Sequence, residues 1–204
     1  MRKRTTAALA MLAGLVLIGG SASTAGAEAP ADETAEAAAV AVPTNPGIRL
    51  ANVEQRYDWD TDRNCAASGS RDSETDIVLW DPCNRSGAAW DINFLRRNSA
   101  GTPLYEIKHP YSGLCLSIEG VESGHPANEA DAQLEPCERQ QDAVWWFRDN
   151  GNGQVLIRPY LKNSAGRYPC LEADAGDLAG DVTVQVYDCP SSNQREWILD
   201  NQWS

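Results

Sequence analysis

The chain has 204 residues, with 29 Asp and Glu against 17 Lys and Arg, which gives a formal net charge of −12. Nucleic-acid backbones and anionic membrane surfaces are themselves negative, so this charge argues against both as partners. The sequence holds only two histidines and neither a Gly-x-Ser-x-Gly nor a His-Glu-x-x-His motif. We therefore expect a protein that binds rather than catalyses, with no catalytic residue and no cofactor.

The first 27 residues predict a secretory signal. Residues 1–4 carry three positive charges, residues 7–20 are mostly apolar, and residues 25–27 read Ala-Gly-Ala, which is typical of a signal peptidase site. The apolar run is shorter than the ~20 residues of a membrane-spanning helix. We expect a secreted, extracellular protein that does not insert into a membrane. Removal of residues 1–27 takes away three basic residues and no acidic ones, so the mature charge becomes 14 − 29 = −15.

The rest of the chain divides at about residue 47. Residues 28–47 are rich in Ala, Glu, Pro and Thr, a composition that buries little apolar surface and predicts a disordered leader. Residues 48–204 are long enough for one domain with one core.

The six cysteines reveal an internal repeat. In an exported chain an even number of cysteines predicts disulfides, and the absence of Cys-x-x-Cys argues against zinc. A tryptophan follows the second cysteine of each pair, and equivalent cysteines are 50 to 55 residues apart. Three units of this length fill the domain, and equivalent closure of each unit predicts the pairs Cys65–Cys83, Cys115–Cys137 and Cys170–Cys189.

Within each unit the apolar pattern is that of short strands. Apolar residues alternate with polar ones at Val184 and Val186 and again at Leu114, Leu116 and Ile118, and Gly-rich turns lie between such runs. Three all-β units predict a β-trefoil, with twelve strands and threefold pseudosymmetry. The repeated tryptophans are expected to be buried in its core: Trp90, Trp145 and Trp197.

The runs at residues 111–118, 169–173 and 182–189 resemble the repeats of ricin B-type lectins. A repeat of that family contains Cys-Leu-Asp-Val, then Val-Gln-Leu-aromatic-x-Cys, then Gln-x-Trp, and the resemblance extends over residues 48–204. It implies a β-trefoil that binds sugar, with an aromatic plate against the ring face and a carboxylate and amides on the hydroxyls. Glycans or glycoconjugates are therefore the expected partners.

The family places its carboxylate two residues after the first cysteine. It places an amide four residues before the second cysteine, an aromatic two before it, and another amide two before the tryptophan. In the first repeat the corresponding residues are Ala67, Val78, Trp80 (displaced by one residue) and Ala88. In the second repeat they are Ser117, Gln133, Glu135 and Ala143. The first repeat departs furthest from the family pattern, and the second keeps only one amide.

The third repeat alone combines a carboxylate, an amide and an aromatic. The resemblance assigns hydroxyl acceptance to Glu172, bridging to Gln185 and stacking to Tyr187, with Asn193 and Gln194 assisting. Arg195 replaces the family's glutamine before the tryptophan. Because neither Glu172 nor Tyr187 is expected in the core, replacement of either should abolish sugar binding and change stability little.

A protein-interaction β-trefoil that has lost sugar binding, such as a toxin delivery subunit or an inhibitor, is the alternative. Trp146 should point away from Trp145 in a strand and lie exposed, so Trp146 and Trp80 are candidate anchors for a protein partner. The acidic run from Asp58 to Asn64 resembles a calcium loop, but Arg63 stands where that loop needs glycine, so no metal is expected.

Overall fold

The protein is described by a computed structural model. It describes residues 39–42, 44, 46–56, 63–80, 83, 86–121, 124–137, 141–174, 182–189 and 195–200. All of them belong to one compact unit, residues 33–204. The predicted signal sequence and the acidic run 58–62 lie outside the described residues. In the part described, no helix combines the length and the apolar character needed to cross a membrane.

The described residues form twelve β-strands, four in each repeat. The first repeat contains β1 Arg49–Arg56, β2 Arg63–Ser68, β3 Ile77–Trp80 and β4 Asp91–Arg97. The second contains β5 Pro103–Lys108, β6 Cys115–Ile118, β7 Ala130–Glu135 and β8 Trp145–Gly151. The third contains β9 Gln154–Pro159, β10 Cys170–Ala173, β11 Val184–Tyr187 and β12 Glu196–Asp200. Short 3-10 turns at Ser86–Ala88 and Gln141–Ala143 precede β4 and β8.

The first and last strands of each repeat form a closed barrel. Antiparallel ladders join β4 to β5, β8 to β9 and β12 to β1, and shorter pairings join β5 to β8 and β9 to β12. Ile48 and Trp90 close the ring by exchanging two backbone hydrogen bonds of 2.8 and 2.9 Å. Closure leaves these strands without a free edge, which is the usual solution for an antiparallel sheet.

The middle strands of each repeat form three hairpins, β2–β3, β6–β7 and β10–β11, that cap one end of the barrel. Neighbouring hairpins pair with one another, through the bridges Asp76–Gln133 and Val78–Thr183 and through the β7–β11 ladder. A six-stranded barrel capped by three such hairpins is a β-trefoil. The predicted fold is therefore confirmed.

The three repeated tryptophans are fully buried in the core, as the sequence predicts. Each indole N–H donates to the backbone carbonyl of the residue that follows the first cysteine of its own repeat. These bonds join Trp90 to Ala66, Trp145 to Leu116 and Trp197 to Leu171, at 2.8, 2.9 and 3.0 Å. A buried indole needs such a partner, and the same partner recurs three times because the backbone of each repeat has the same path.

The cysteines pair within each repeat as the sequence analysis predicts. The bonds are Cys65–Cys83, Cys115–Cys137 and Cys170–Cys189, with Cα–Cα distances of 5.2, 5.1 and 5.3 Å. Each bond links the first strand of a cap hairpin to the loop after its second strand. It therefore fixes the connection that leads to the buried tryptophan.

Residues 39–42 of the predicted leader lie against the barrel, so the structure corrects the expectation of disorder for them. The Val40 N–H donates to the Phe147 carbonyl at 2.9 Å, and the Val42 N–H donates to the Tyr105 hydroxyl at 2.9 Å. Val42 is part of the core and is only 7% exposed. Composition misses this contact because an extended segment can bind through its backbone with few apolar side chains. Residues 28–38 lie outside the described part.

Trp146 is also placed differently from its prediction, since it is 2% exposed rather than at the surface. It packs in a second apolar cluster with Leu104 and Val144. The Tyr168 ring meets its edge at 5.6 Å, and the Arg158 guanidinium lies 4.9 Å from its ring centre. These neighbours cover the outer side of β8, where strand alternation alone suggests solvent. Trp146 cannot be the anchor for a partner in this conformation.

Candidate functional site

Each cap hairpin has one face in the core and one face away from it, and we call the second the outer hairpin face. Core residues such as Leu116 and Leu134 alternate along the strands with the outer residues Ser117 and Gln133. The outer face holds the positions at which the family resemblance places sugar ligands. The cross-strand pairs that define it are Ala67–Val78 in the first repeat, Ser117–Gln133 in the second and Glu172–Gln185 in the third.

In the first repeat the outer hairpin face is apolar. Ala67 packs with Ala88 and the Cys65–Cys83 disulfide, and Trp80 covers this cluster from the side. Ala67 is 1% exposed and has no polar atom beyond its backbone. Apolar residues at the family's polar positions thus form a small second apolar cluster in place of a polar site.

In the third repeat the predicted residues come together, but around an internal ion pair. The Glu172 carboxylate lies 2.5 Å from the Arg195 guanidinium, and the Gln185 amide donates to its other oxygen at 3.1 Å. The side chains of Glu172 and Arg195 are 6% and 7% exposed. Glu172 is therefore buried rather than at the surface as expected, and its replacement should affect stability because it would leave Arg195 unpaired.

The predicted site of this repeat also includes the aromatic Tyr187 and the amides Asn193 and Gln194. Tyr187 is half-buried, and the Arg195 guanidinium stacks over its ring at 5.3 Å, so one ring face is already occupied. Asn193 and Gln194 lie outside the described residues. Burial raises the pKa of Glu172, while Arg195 and Gln185 oppose that shift. The Glu172 carboxylate is thus bonded to Gln185 and Arg195, and Arg195 also covers one face of the Tyr187 ring.

In the second repeat the outer hairpin face borders a cleft of about 750 Å³. Ser117 and Ala143 occupy the positions that Glu172 and Arg195 hold in the third repeat. Both are short and buried, and neither lines the cleft, whose walls come from neighbouring residues. The volume lies within the ~300–1,000 Å³ typical of small-molecule sites.

The walls of the cleft come from five parts of the chain. Glu74 and Asp76 approach from the first repeat, held there by backbone bonds from Glu74 to Leu134 and from Leu134 to Thr75 at 2.8 and 2.9 Å. The second repeat supplies the end of β6, the end of β7 and the 3-10 turn before β8, and Leu161 comes from the third repeat. The remaining lining residues are Ile118, Glu119, Gly120, Val121, Gly124, Gln133, Glu135, Gln141 and Asp142.

Hydrogen bonds orient the polar side chains on the β7 wall. The Gln133 amide donates to one Glu135 oxygen at 3.0 Å, and the Ser73 hydroxyl lies 3.4 Å from the other. Burial raises the pKa of Glu135, and the nearby carboxylates of Glu74 and Asp142 raise it further against the effect of Ser73. The cleft therefore offers oriented amide and carboxylate groups in a strongly negative environment. Amides and carboxylates are the groups that bind sugar hydroxyls.

Residues 86–165, which include the cleft of the second repeat, match a family model described as ricin-type β-trefoil lectin domain-like. The match covers 80 of the 204 residues and likens this part of the chain to a ricin-type β-trefoil lectin domain. A search of curated proteins finds no match.

Solved structures share the β-trefoil fold of this chain. An exo-β-1,3-galactanase from Clostridium thermocellum aligns with a TM-score of 0.63 and 14% identity, over 78% of this chain and 31% of that longer one. A Macrolepiota procera ricin B-like lectin in complex with lactose aligns with 0.56 and 15%, over 79% and 99%. The Haemophilus ducreyi cytolethal distending toxin aligns with 0.52 and 12%, over 78% and 87%. At these identities the likeness shows the fold.

Most of the residues around the cleft of the second repeat could not be predicted from the sequence. Gln133 stands at a family position, but Glu74 and Asp76 belong to another repeat and reach the cleft because Asp76, just before β3, pairs with Gln133 of β7. Gln141 and Asp142 lie in the turn before Trp145, where the family's amides also lie. That proximity to the tryptophan is the one signal that could have indicated them.

Proposed function

We propose that this protein is a secreted, sugar-binding β-trefoil whose principal site is the cleft of the second repeat. The observation that carries the proposal is the open cleft of about 750 Å³ beside the outer hairpin face, lined by Gln133, Gln141 and carboxylates. Its place corresponds to the ligand positions of the ricin-type repeat. The family match over residues 86–165 supports binding rather than catalysis as the activity.

The third repeat is a second proposed site, formed by Glu172, Gln185, Tyr187, Asn193 and Gln194. Sugar binding there would require hydroxyls to compete with Arg195 for a carboxylate that is 4% exposed. Desolvated charge pairs separate at considerable cost, so the second repeat is the better supported of the two.

A single shallow site in either repeat should bind weakly. An affinity of ~0.1–1 mM corresponds to roughly 4–5.5 kcal/mol. Adhesion to a glycan-coated surface would then depend on many copies or many epitopes acting together.

A glycan array on the mature protein, followed by calorimetric titration of the sugars that bind, tests this proposal. Gln133→Ala should lower affinity at least about tenfold, because it removes an oriented amide from the cleft wall. The matched variant Gln185→Ala, at the equivalent position of the third repeat, should change affinity less than about twofold. The reverse result would place the site in the third repeat. No binding to any glycan at millimolar concentration would refute the sugar-binding proposal.

A protein-binding role is favoured by one specific observation. Phe94 and Leu95 of β4 are 50% and 38% exposed, next to the exposed pair Arg96 and Arg97. Exposed aromatic and arginine side chains are frequent anchors in protein interfaces. If no glycan binds, Phe94→Ser is the variant with which to test loss of a protein partner.

A further inference from the structure

The cleft of the second repeat is unusual in its charge. Five of its lining residues are acidic: Glu74, Asp76, Glu119, Glu135 and Asp142. Among the described lining residues there is no lysine, arginine or histidine to balance them. Several negative charges around one concave surface attract ligands that carry positive charge.

The same carboxylates are not arranged for a metal ion. A shared ion would need several ligand atoms within a few ångströms of one another. Of the described residues, the group that meets this condition combines Glu106 with Cys115 and Cys137, which are joined in a disulfide and lie outside the cleft lining. The cleft carboxylates are therefore distributed around a space, as a larger cationic ligand requires.

A second observation points to a hydrogen-bonding ligand in the cleft. One carboxylate oxygen of Asp142, a lining residue, is buried without a hydrogen-bond partner. Ser117, across the ladder from Gln133, also has a buried hydroxyl without a partner, but it does not line the cleft. Such groups are costly unless something satisfies them.

We infer that this cleft binds amino sugars, that is, hydroxylated rings that carry a free ammonium group. The inference rests on the proposed function and names the ligand class of the same site. An ammonium group offers three donors and one positive charge, and the sugar ring brings hydroxyls for Gln133 and Gln141. A neutral or N-acetylated sugar of the same shape would satisfy the amides but leave the carboxylates unpaired.

The electrostatics of the site agree with this ligand. Burial raises the pKa of Glu135, and the neighbouring carboxylates Glu74 and Asp142 raise it further. A bound ammonium group would lower that pKa again, so binding should release the proton of any Glu135 that was protonated. The attraction should also weaken with salt, because the cleft is open to solvent.

The test compares tri-glucosamine with its fully N-acetylated form, which has the same rings and linkages but carries acetyl groups in place of the positive charges, by calorimetric titration at a pH where the amines are protonated. Tri-glucosamine should bind at least about tenfold more tightly at low salt, and the ratio should shrink at high salt. Titration with free glucosamine and with a chitosan polymer then shows whether the natural ligand is a single amino-sugar ring or a chain of them.

Two carboxylate variants complete the test. Glu135→Gln removes one cleft charge and should reduce the preference for tri-glucosamine several-fold, while Glu129→Gln removes an exposed charge outside the lining and should leave the ratio unchanged. Equal affinity for both trisaccharides, or equal effects of the two variants, would overturn the inference. In that case neutral-sugar binding that Gln133→Ala abolishes would still uphold the proposed function, whereas failure of every sugar to bind would end both.

Discussion

The second and third repeats build the same four strands, the same disulfide and the same buried tryptophan, yet their outer hairpin faces have opposite characters. In the third repeat Glu172 and Arg195 fill the face and satisfy each other. In the second, Ser117 and Ala143 stand at the same places, and an acidic cleft lies beside them. The fold tolerates both because all four residues, although buried, lie outside the main apolar cluster of the barrel. The third repeat keeps residues of the family's ligand set, but an internal ion pair occupies them. The second repeat has lost most of that set, yet a cleft lies open beside its outer hairpin face.

The largest effect should come from breaking the ion pair of the third repeat. Glu172→Ala leaves the buried Arg195 guanidinium without its charge partner, so the free energy of unfolding should fall by about 3–5 kcal/mol. Ser117→Ala, the equivalent change in the second repeat, removes an unsatisfied hydroxyl and should cost less than about 1 kcal/mol. Urea denaturation of both variants measures the difference. Equal costs would mean that the two faces are not as different as the structure shows.

Removing both charges of the third repeat sharpens the same point. The double variant Glu172→Ser/Arg195→Ala introduces the residues of the second repeat and strands no charge, so it should be more stable than Glu172→Ala alone. A double-mutant cycle with Glu172→Ser and Arg195→Ala should give a coupling energy of about 1–3 kcal/mol. A coupling near zero would show that Glu172 and Arg195 do not interact in solution.

The leader distinguishes the two repeats as well, since residues 39–42 bind to strands of the second repeat and fix Tyr105 and Phe147. Val42→Ala removes two buried methyl groups and should lower the free energy of unfolding by about 1–2 kcal/mol. Thermal and urea unfolding of this variant, beside Thr44→Ala at an exposed position, measures it. No change would indicate that the leader does not stay docked in solution.

The smallest expected effect is on pH dependence. The pKa values of Asp131 and Glu135 are raised by burial and then by neighbouring carboxylates, so the folded protein binds protons more readily than the unfolded chain at both groups. The contribution of these two groups to stability should therefore be fully present at acidic pH and should be lost as the pH rises through the raised values. Burial lowers the pKa of His109, which acts in the opposite direction, so the Glu135 contribution is the difference between the parent protein and Glu135→Gln. Glu135→Gln should flatten that slope, and Glu129→Gln should not. The unfolding midpoint between about pH 8 and pH 5 is the measurement.

Much of the fold could be read from the sequence. The spacing of Cys65, Cys115 and Cys170, each with its later cysteine and tryptophan, predicts three equivalent units and therefore a β-trefoil. The structure confirms the pairing of the cysteines and the burial of Trp90, Trp145 and Trp197. These features are local or periodic, and the same spacing of cysteines and tryptophan occurs three times, once in each unit.

The character of each face was decided only by tertiary structure. The motif places Glu172 and Gln185 together, but that Arg195 turns onto the carboxylate depends on side-chain packing that no spacing records. The acidic cleft depends on Glu74 and Asp76, which come from another repeat through strand pairing across the cap. Residues 39–42 dock through backbone bonds, which composition cannot reveal. The sequence by itself determined the repeat and its core, because burial follows periodicity; charge contacts between distant segments required the folded chain.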